Sequence, residues 1–441
     1  MVRAAGSRRF DPAALKTSST QLRTETRSCL VSDNKLREDT LRDRTILIVG
    51  GGIGGLCTAL ALGRSGWIVR ALEQASQFGA IGYGIQLGPN VFPMLEHIGV
   101  ADAVRAASVL PGNVWMLDAA TGLPVTRVRT DMSFRQRYGH PYIVIHRVDL
   151  HNILVEACKA IPNIHLDEDA TVNGFEDLGD HVAVHSADGR RIEGAVVIGA
   201  DGLRSRIRTQ IMGESEPSPI GYVAHRTIVP IDRAPKRIPL DDVVLWGGPG
   251  FHIVHYPLRQ STIFNIVAVF QTETFAQKAD VEVYRAELQA TYAQAHPAMR
   301  EMIGLLDLER RWPIADRPPQ RGWSKGRAVV MGDAAHATLQ SLAQGGGMAI
   351  EDAIVLGSLI DNSGGNFAQA FKDFETTRLV RTARVQLESR FLWDRFYHVG
   401  GLEAEVRNAK EAARTDADVW ACLDWLYKGV EIPKPEDNVL D

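Results

Sequence analysis

The sequence predicts an α/β protein: a Rossmann-like domain, interrupted by an inserted antiparallel β-sheet and closed by a C-terminal helical segment. Three observations predict it. The β-branched run Ile46-Leu47-Ile48-Val49 leads straight into Gly50-Gly51-Gly52 and then into small and apolar residues. Alternation of apolar and polar residues dominates from Val223 to Phe270, the period of strands with one covered face. Amphipathic helical spacing then runs from Phe367 to Tyr397.

Taken in order, Ile46 to Val49 is a short buried strand, Leu56 to Ser65 a helix stopped near Gly66, and Ile68 to Glu73 a second strand. Strand, helix and strand within about 30 residues have the shape of a nucleotide-binding half-fold. Pro89 to Ala107 and Val148 to Ala160 read as helices. Ile164 to Gly199 is strand-like, with turn signals at Gly179-Asp180 and Asp188-Gly189, and ends on the buried strand Val196-Val197-Ile198. Val283 to Leu306 is helical, and Ala328 to Met331 is a last buried strand before a glycine-rich turn and a helix from about Gly346. These elements divide the chain into an extension at 1–43, the Rossmann-like domain at 44–215, the inserted sheet at 216–310, a return segment at 311–365 and a helical region at 366–441.

Composition narrows the class of function. With 441 residues, 45% hydrophobic and 23% charged, the chain can bury a core large enough for a sizeable ligand. A net charge of −4 gives no reason to expect nucleic acid or an acidic membrane as partner. Cys29, Cys57, Cys158 and Cys422 are scattered, with no Cys-x-x-Cys pair, so reduced thiols in a cytoplasmic protein are expected rather than a disulfide framework or a metal site. No apolar run approaches the roughly 18 residues needed to span a bilayer. Residues 1–43 carry Arg3, Arg8, Arg9, Arg23 and Arg27 among Ser and Thr, as a transit peptide would, but Asp11, Glu25, Asp33, Glu38 and Asp39 argue for a disordered extension instead.

Three motifs carry chemistry. Gly50, Gly52 and Gly55 form Gly-x-Gly-x-x-Gly between a strand and a helix. Gly50 permits the turn, Gly52 leaves room for a pyrophosphate at the helix N-terminus, and Gly55 lets helix and strand approach. Glu73 closes the second strand about 20 residues on, where a carboxylate can accept ribose hydroxyls. Asp201-Gly202-Leu203-Arg204-Ser205-Arg206-Ile207-Arg208 follows another buried strand. Asp201-Gly202 makes the turn, Ser205 is a candidate cap, and the arginines either meet phosphate or form a solvated basic turn. Gly332-Asp333-Ala334-Ala335-His336 precedes Gly345-Gly346-Gly347. Asp333 at a strand end suits a ribose or ribityl hydroxyl, although Asp is equally at home as a helix N-cap. The glycines bring backbone N–H groups to a polar ring edge.

In that order the three motifs resemble the fingerprints of the single-component FAD-dependent aromatic hydroxylases, the group A flavoprotein monooxygenases. The likeness runs from about Thr45 to the C-terminus and includes Gly88-Pro89-Asn90, His146-Arg147-Val148-Asp149-Leu150, Asp316-Arg317 and Phe374-Glu375 with Arg378 and Arg381. It implies an FAD-binding domain with an inserted substrate sheet. It also implies FAD held by Gly50, Gly52, Gly55, Glu73, Arg147, Gly332 and Asp333, with the amides of Gly345 and Gly346 beside its ring. Asp201 would serve both the FAD pyrophosphate and the nicotinamide. The resemblance implies NADH or NADPH as co-substrate, and, as in the family, no second Gly-x-Gly-x-x-Gly marks a separate nicotinamide domain. Such relatives are often homodimers.

One branch fits best. Where many members carry a proline soon after Gly-Asp-Ala-Ala-His, this chain has Gln340 in Thr338-Leu339-Gln340-Ser341-Leu342, which resembles the 3-hydroxybenzoate 6-hydroxylases. A Gln amide can donate and accept toward a carboxylate or hydroxyl. His252 and Tyr256 lie on one face of a strand with Val254 between them, on the order of 13 Å apart, while His255 points away. They either flank a substituted ring, as a similar pair does in that branch, or pack in a half-buried wall. Tyr142 is a further candidate for the same pocket. The resemblance implies NADH- and oxygen-dependent hydroxylation of a phenolic acid, 3-hydroxybenzoate to gentisate. His252, with an ordinary pKa of about 6.5, would take the phenolic proton, Tyr256 and Gln340 would orient the ring, and Leu339, Leu342 and Met348 would exclude water. The competing readings are a salicylate 1-hydroxylase giving catechol, an oxygen-independent flavin reductase, and a non-catalytic flavoprotein that only presents a partner-binding shape.

Overall fold

A computed structural model describes residues 41–79, 82–213, 216–274 and 280–434. The extension expected at 1–43 falls outside them except for its last three residues. The short apolar runs from Thr45 onward become a six-stranded sheet in the order Ser324–Lys325, Ala328–Val330, Val196–Gly199, Thr45–Val49, Ile68–Leu72, Ile164–Asp167. All neighbours are parallel except the edge pair Ser324–Lys325 with Ala328–Val330. Parallel strands are covered on both faces, which is why they read as unbroken apolar runs; every residue of Thr45–Val49 is buried. Helix Ile53–Arg64 packs against helix Gly345–Asn362 through small residues. A Cβ on Gly357 would stand 2.9 Å from the Cβ of Ala61, so glycine sets that approach.

The second sheet has seven strands: Trp312–Asp316, Ser218–Pro230, Ile263–Gln271, Phe251–Leu258, Val243–Gly248, Asn113–Asp118 and Pro124–Arg129. Its pairings are antiparallel except that of Val243–Gly248 with Asn113–Asp118. The sequence pattern confined this sheet to 216–310, and here it needs correction. Asn113–Asp118, Pro124–Arg129 and Trp312–Asp316 join it from the flanking segments. Most residues of the first two are only half-buried, so their sequence shows no clean alternation; pairing with a distant strand places them.

Two expected helices are broken at identifiable points. Pro89 to Ala107 becomes a 3₁₀ turn at Pro89–Val91 and helices Phe92–His97 and Ala101–Ala106, with Gly99 between them at φ +74°. Val283 to Leu306 becomes Val281–Thr291 and Pro297–Ile303, the second opening on its proline. Helix Phe367–Leu392 ends in a π turn at Trp393–Tyr397, after which Gly401–Ala412 and Asp416–Tyr427 follow. None of the described helices is long and apolar enough to cross a membrane. Cys57 and Cys158 are buried free thiols, and Cys422 is exposed.

The parity of Phe251–Leu258 separates two environments. Phe251, Ile253, Ile266 and Phe270 pack on the helices, with Tyr284, Leu288 and Tyr292, while His252, Val254 and Tyr256 line a cavity. His255 is fully buried on the helix side, and burial pushes its pKa from 6.5 to about 3. The unfolded chain therefore binds a proton below pH 6.5 that the folded chain refuses. Stability present at neutral pH is lost as the pH falls from 6.5 toward 3, by about 1.4 kcal/mol at pH 5.5 for this histidine alone. Urea midpoints should drop between pH 7.5 and pH 5.5; a flat profile over that window would show that the buried imidazole is not neutral.

Candidate active site

The glycine turn is built for a ligand on its outer side only. Gly50 has φ +110°, and a Cβ there would meet Ala200 O at 2.4 Å. A Cβ on Gly55 would stand 2.0 Å from Gly50 O, whereas one on Gly52 would meet nothing within 4 Å. Gly50 and Gly55 thus serve internal packing, and Gly52 leaves open space at the N-terminus of Ile53–Arg64, which has no side-chain cap. Uncapped N–H groups facing open space are an anion site. Glu73 braces the turn from the next strand, accepting hydrogen bonds from Gly51 N at 2.8 Å and Ala75 N at 2.9 Å. Gly52→Val should keep the fold, because the side chain meets no protein atom at its base, yet lower FAD retention at least tenfold; FAD content after gel filtration, set against the melting temperature, checks this.

The cavity, about 890 Å³, joins this turn to Arg147, Gly332, Asp333, Gly345 and Gly346. Arg147 opens helix Arg147–Lys159 and is exposed, as is Asp333 at the start of Asp333–His336. Gly332 (φ +57°) caps that short helix, so Asp333 is not its N-cap. The residues fit an FAD molecule. The pyrophosphate would lie at Gly52, the ribose at Glu73, a polyol at Asp333, and a polar ring edge at the amides of Gly345 and Gly346.

Two expected contacts are rearranged. The Asp201 carboxylate accepts hydrogen bonds from Ser205 Oγ at 2.5 Å, Arg206 N at 2.8 Å and Ile207 N at 3.3 Å. It caps helix Arg206–Met212 together with Ser205, which binds Arg208 N at 2.8 Å; burial raises its pKa. Asp201 therefore shapes the turn next to Gly202 rather than pointing a free carboxylate at a ligand. Arg208, expected among the phosphate-facing arginines, is buried and donates to Ala334 O at 2.9 Å, Ala335 O at 3.0 Å and Gln320 Oε1 at 2.7 Å. It ties the second motif to the third. Arg204 and Arg206 are exposed.

Behind the third motif lies an ion network that motif reading did not anticipate. Asp352 accepts from Gly332 N at 2.9 Å, His336 Nε2 at 2.5 Å and Arg378 Nε at 2.7 Å. Arg378 also donates to Glu351 at 2.7 Å, and Glu351 accepts from Asn90 and Arg381, each at 2.7 Å. Arg381 reaches the carbonyls of Trp425 at 2.7 Å and Leu426 at 2.8 Å. Burial by itself would raise the Asp352 pKa; His336 and Arg378 outweigh it and hold it at about 2.

Beyond the flavin-sized end, the cavity meets the sheet. His252, Val254, Tyr256, Tyr142, Gln86, Arg226, Gln340, Leu339 and Leu342 line it. Met348 does not; it is buried in the adjoining cluster with Tyr142 and Tyr256. Tyr142 Oη donates to Gln86 Oε1 at 2.7 Å, and Arg226 Nη2 donates to Gln340 Oε1 at 3.0 Å. Burial pushes the Tyr256 phenol up to about 12 against the pull of Arg226, Gln86 and Asn265. His252 Nδ1 lies 2.8 Å from His398 Nε2. Burial, reinforced by His398, puts its pKa well below 6.5, so the expectation of a histidine titrating near neutrality is corrected: the ring is neutral throughout that range. Sequence reading missed Arg226, Gln86 and His398. Arg226 left one signal, a charge inside the apolar alternation of its strand; His398 left none.

A family model described as "FAD binding domain" matches residues 43–365. A 3-hydroxybenzoate 6-hydroxylase of Polaromonas naphthalenivorans (strain CJ2) is 38% identical over 88% of this chain and 97% of its own length. A 3-hydroxybenzoate 6-hydroxylase of Klebsiella oxytoca is 37% identical over 90% and 98%. Among solved structures, Klebsiella pneumoniae HpxO complexed with FAD and uric acid superposes with a TM-score of 0.75 at 24% identity, covering 87% of this chain and 97% of that one.

Proposed function

Because this chain belongs to the FAD-binding-domain family and is a flavin-dependent aromatic hydroxylase, we propose that it hydroxylates 3-hydroxybenzoate para to its hydroxyl group, giving gentisate, with NADH as reductant. One observation carries the reading. A single cavity joins the nucleotide turn to a small chamber with a cation, two phenols and a buried imidazole around apolar walls. Two relatives of full length carry the same activity in their names.

FAD, when bound, supplies electron transfer from the nicotinamide and activation of O2. This chain's own residues do the rest. Arg226 is largely buried, and although burial depresses its pKa, a guanidinium stays charged; it suits the substrate carboxylate, with Gln340 fixing its plane. Tyr142 and Tyr256, linked through Gln86, bracket the ring. His252 accepts the phenolic proton, because a phenolate ring is far more electron-rich than a phenol at the carbon para to oxygen. Leu339, Leu342, Val254 and Val267 exclude water.

The test is NADH oxidation by the FAD-loaded protein with a panel of hydroxybenzoates, each product identified by chromatography. Gentisate from 3-hydroxybenzoate is expected. Catechol from salicylate would overturn the substrate and the regiochemistry, and NADH oxidation without a hydroxylated product would overturn the activity. Arg226→Met should raise the dissociation constant of 3-hydroxybenzoate at least tenfold, from the loss of a charged hydrogen bond worth about 1.5–3 kcal/mol. The neutral analogue 3-hydroxybenzaldehyde should bind nearly as before; equal losses for both ligands would remove Arg226 from the carboxylate site.

A further inference from the structure

The segment that runs from the cofactor end to the chamber is held in shape from outside itself. Residues 337–344 link helix Asp333–His336 to helix Gly345–Asn362 and carry Gln340 into the cavity. Gln340–Leu342 is a single 3₁₀ turn. Ala343 closes it in the left-handed region at φ +54°, with its N–H on Gln340 O at 2.9 Å. Glycine adopts that backbone freely; a residue with a Cβ keeps it only where surrounding contacts outweigh the strain. Three contacts do so here. Gln386 Nε2 donates to Ala337 O at 3.1 Å, Tyr397 Oη to Ser341 O at 2.7 Å, and Asn90 Nδ2 to Gln344 Oε1 at 3.1 Å.

Tyr397 holds the middle of the turn, and it is firmly held in its own place. It ends the π turn Trp393–Tyr397, a geometry that adds a residue to the helical repeat and recurs at functional sites. Arg407 Nη1 donates to Phe396 O at 2.6 Å, and Trp393 stands edge-on to His252 at 5.2 Å. A Cβ on Gly247 would stand 2.7 Å from Tyr397 O, so glycine lets the turn press against strand Val243–Gly248. Tyr397 lines the cavity. Burial pushes its pKa above the ordinary phenol value, so the hydroxyl keeps its proton and donates. One residue before Ser341, Gln340 Oε1 accepts from Arg226 Nη2 at 3.0 Å.

We propose that Tyr397 is a positioning residue: its hydroxyl on Ser341 O holds the turn at 338–344 in its strained form, with Gln340 aimed at the aromatic acid. The inference rests on the phenolic-acid reading above for the identity of that acid. Without the hydrogen bond the turn relaxes toward a form that spares Ala343 its left-handed backbone. Gln340 then leaves Arg226, and the acid binds more weakly and in more than one pose. A ring out of place is not hydroxylated. One NADH, one proton and one O2 are then consumed to give NAD+ and hydrogen peroxide. Tyr397 touches neither the acid's carboxylate nor its phenol in this role; it acts through the backbone of Ser341.

The experiment compares FAD-loaded wild type, Tyr397→Phe and the double variant Tyr397→Phe/Ala343→Gly. Phenylalanine fills the same space and removes only the hydroxyl, so melting temperature and FAD content should stay at their wild-type values. Amide hydrogen exchange across 337–344, read by mass spectrometry without substrate, should quicken about tenfold in Tyr397→Phe. The dissociation constant of 3-hydroxybenzoate, read from the flavin absorbance, should rise about fivefold, the loss of one neutral hydrogen bond. The share of oxidised NADH recovered as gentisate should fall by about half, with hydrogen peroxide making up the difference. Ala343→Gly removes the strain, so the double variant should regain part of the affinity and of the coupling, a rescue that lost packing would not give. Exchange, affinity and coupling at wild-type values in Tyr397→Phe would overturn the proposal, as would a double variant no better than Tyr397→Phe. Quickened exchange in Tyr397→Phe beside a wild type that hydroxylates none of the hydroxybenzoates overturns the functional reading and leaves the hold of Tyr397 on the turn standing.

Discussion

Replacing His252 with alanine should leave a protein that keeps its FAD and turns over 3-hydroxybenzoate at least 100-fold more slowly. The magnitude is that of losing a positioned acid–base group, about 10²–10⁴ in rate. FAD should stay because His252 comes from strand Phe251–Leu258 and touches neither the Gly50 turn nor the Gly332 turn. The loss should shrink at high pH, where hydroxide takes over the phenolic proton. Steady-state turnover from pH 6 to 9, beside the flavin spectrum, checks both parts. Unchanged turnover would remove His252 from the mechanism, and a pH-independent deficit would make its role one of shape.

Arg378→Met should be the most destabilising single change near the site, by about 3–5 kcal/mol, the usual cost of leaving buried charge without its partner. Arg378, Glu351 and Asp352 have fully buried side chains, and the Arg378 guanidinium stands 2.7 Å from each of the two carboxylates. Without the guanidinium the pKa of both carboxyls would rise, although Arg381 stays on Glu351 and His336 on Asp352. The folded variant would then take up protons on acidification before folded wild type does, so the gap to wild type should be narrower at pH 5 than at pH 8. Because Asp352 also accepts from Gly332 N, the turn that presents Asp333 should loosen and FAD affinity should fall. Chemical denaturation at the two pH values tests this, and a gap of equal size at both would show that the carboxyls were never the penalised groups.

Much of the frame was legible because it rests on local rules. Thr45–Val49 reads as a covered strand because both its faces are covered, and the glycines after it answer to backbone geometry at Gly50 and Gly55. His252 and Tyr256 share a face because side chains alternate along a strand, whatever lies opposite. Other features carried no such mark. Asn113–Asp118 and Pro124–Arg129 are strands by virtue of their partners, and Gly99 cuts a stretch whose apolar spacing suggested continuous helix.

The cofactor end and the chamber divide along the same line. Gly52, Glu73 and the glycines at 345 and 346 announce a nucleotide site in the order of residues, since each acts through its own turn or helix end. Which carboxylate is free and which is occupied was settled by packing: Asp333 faces the cavity, whereas Asp201 caps its own helix. Arg208 looked like a phosphate ligand and became a strut, because its helix turns that face inward onto the carbonyls of Ala334 and Ala335. Arg226 against Gln340, and His398 against His252, are pairs of residues far apart in the chain. Spacing along a sequence encodes neighbours within one helix or strand; contacts between elements arise only when the two sheets and the C-terminal helices close on one another, and it is there that the charge of the chamber and the neighbour of its buried imidazole were decided.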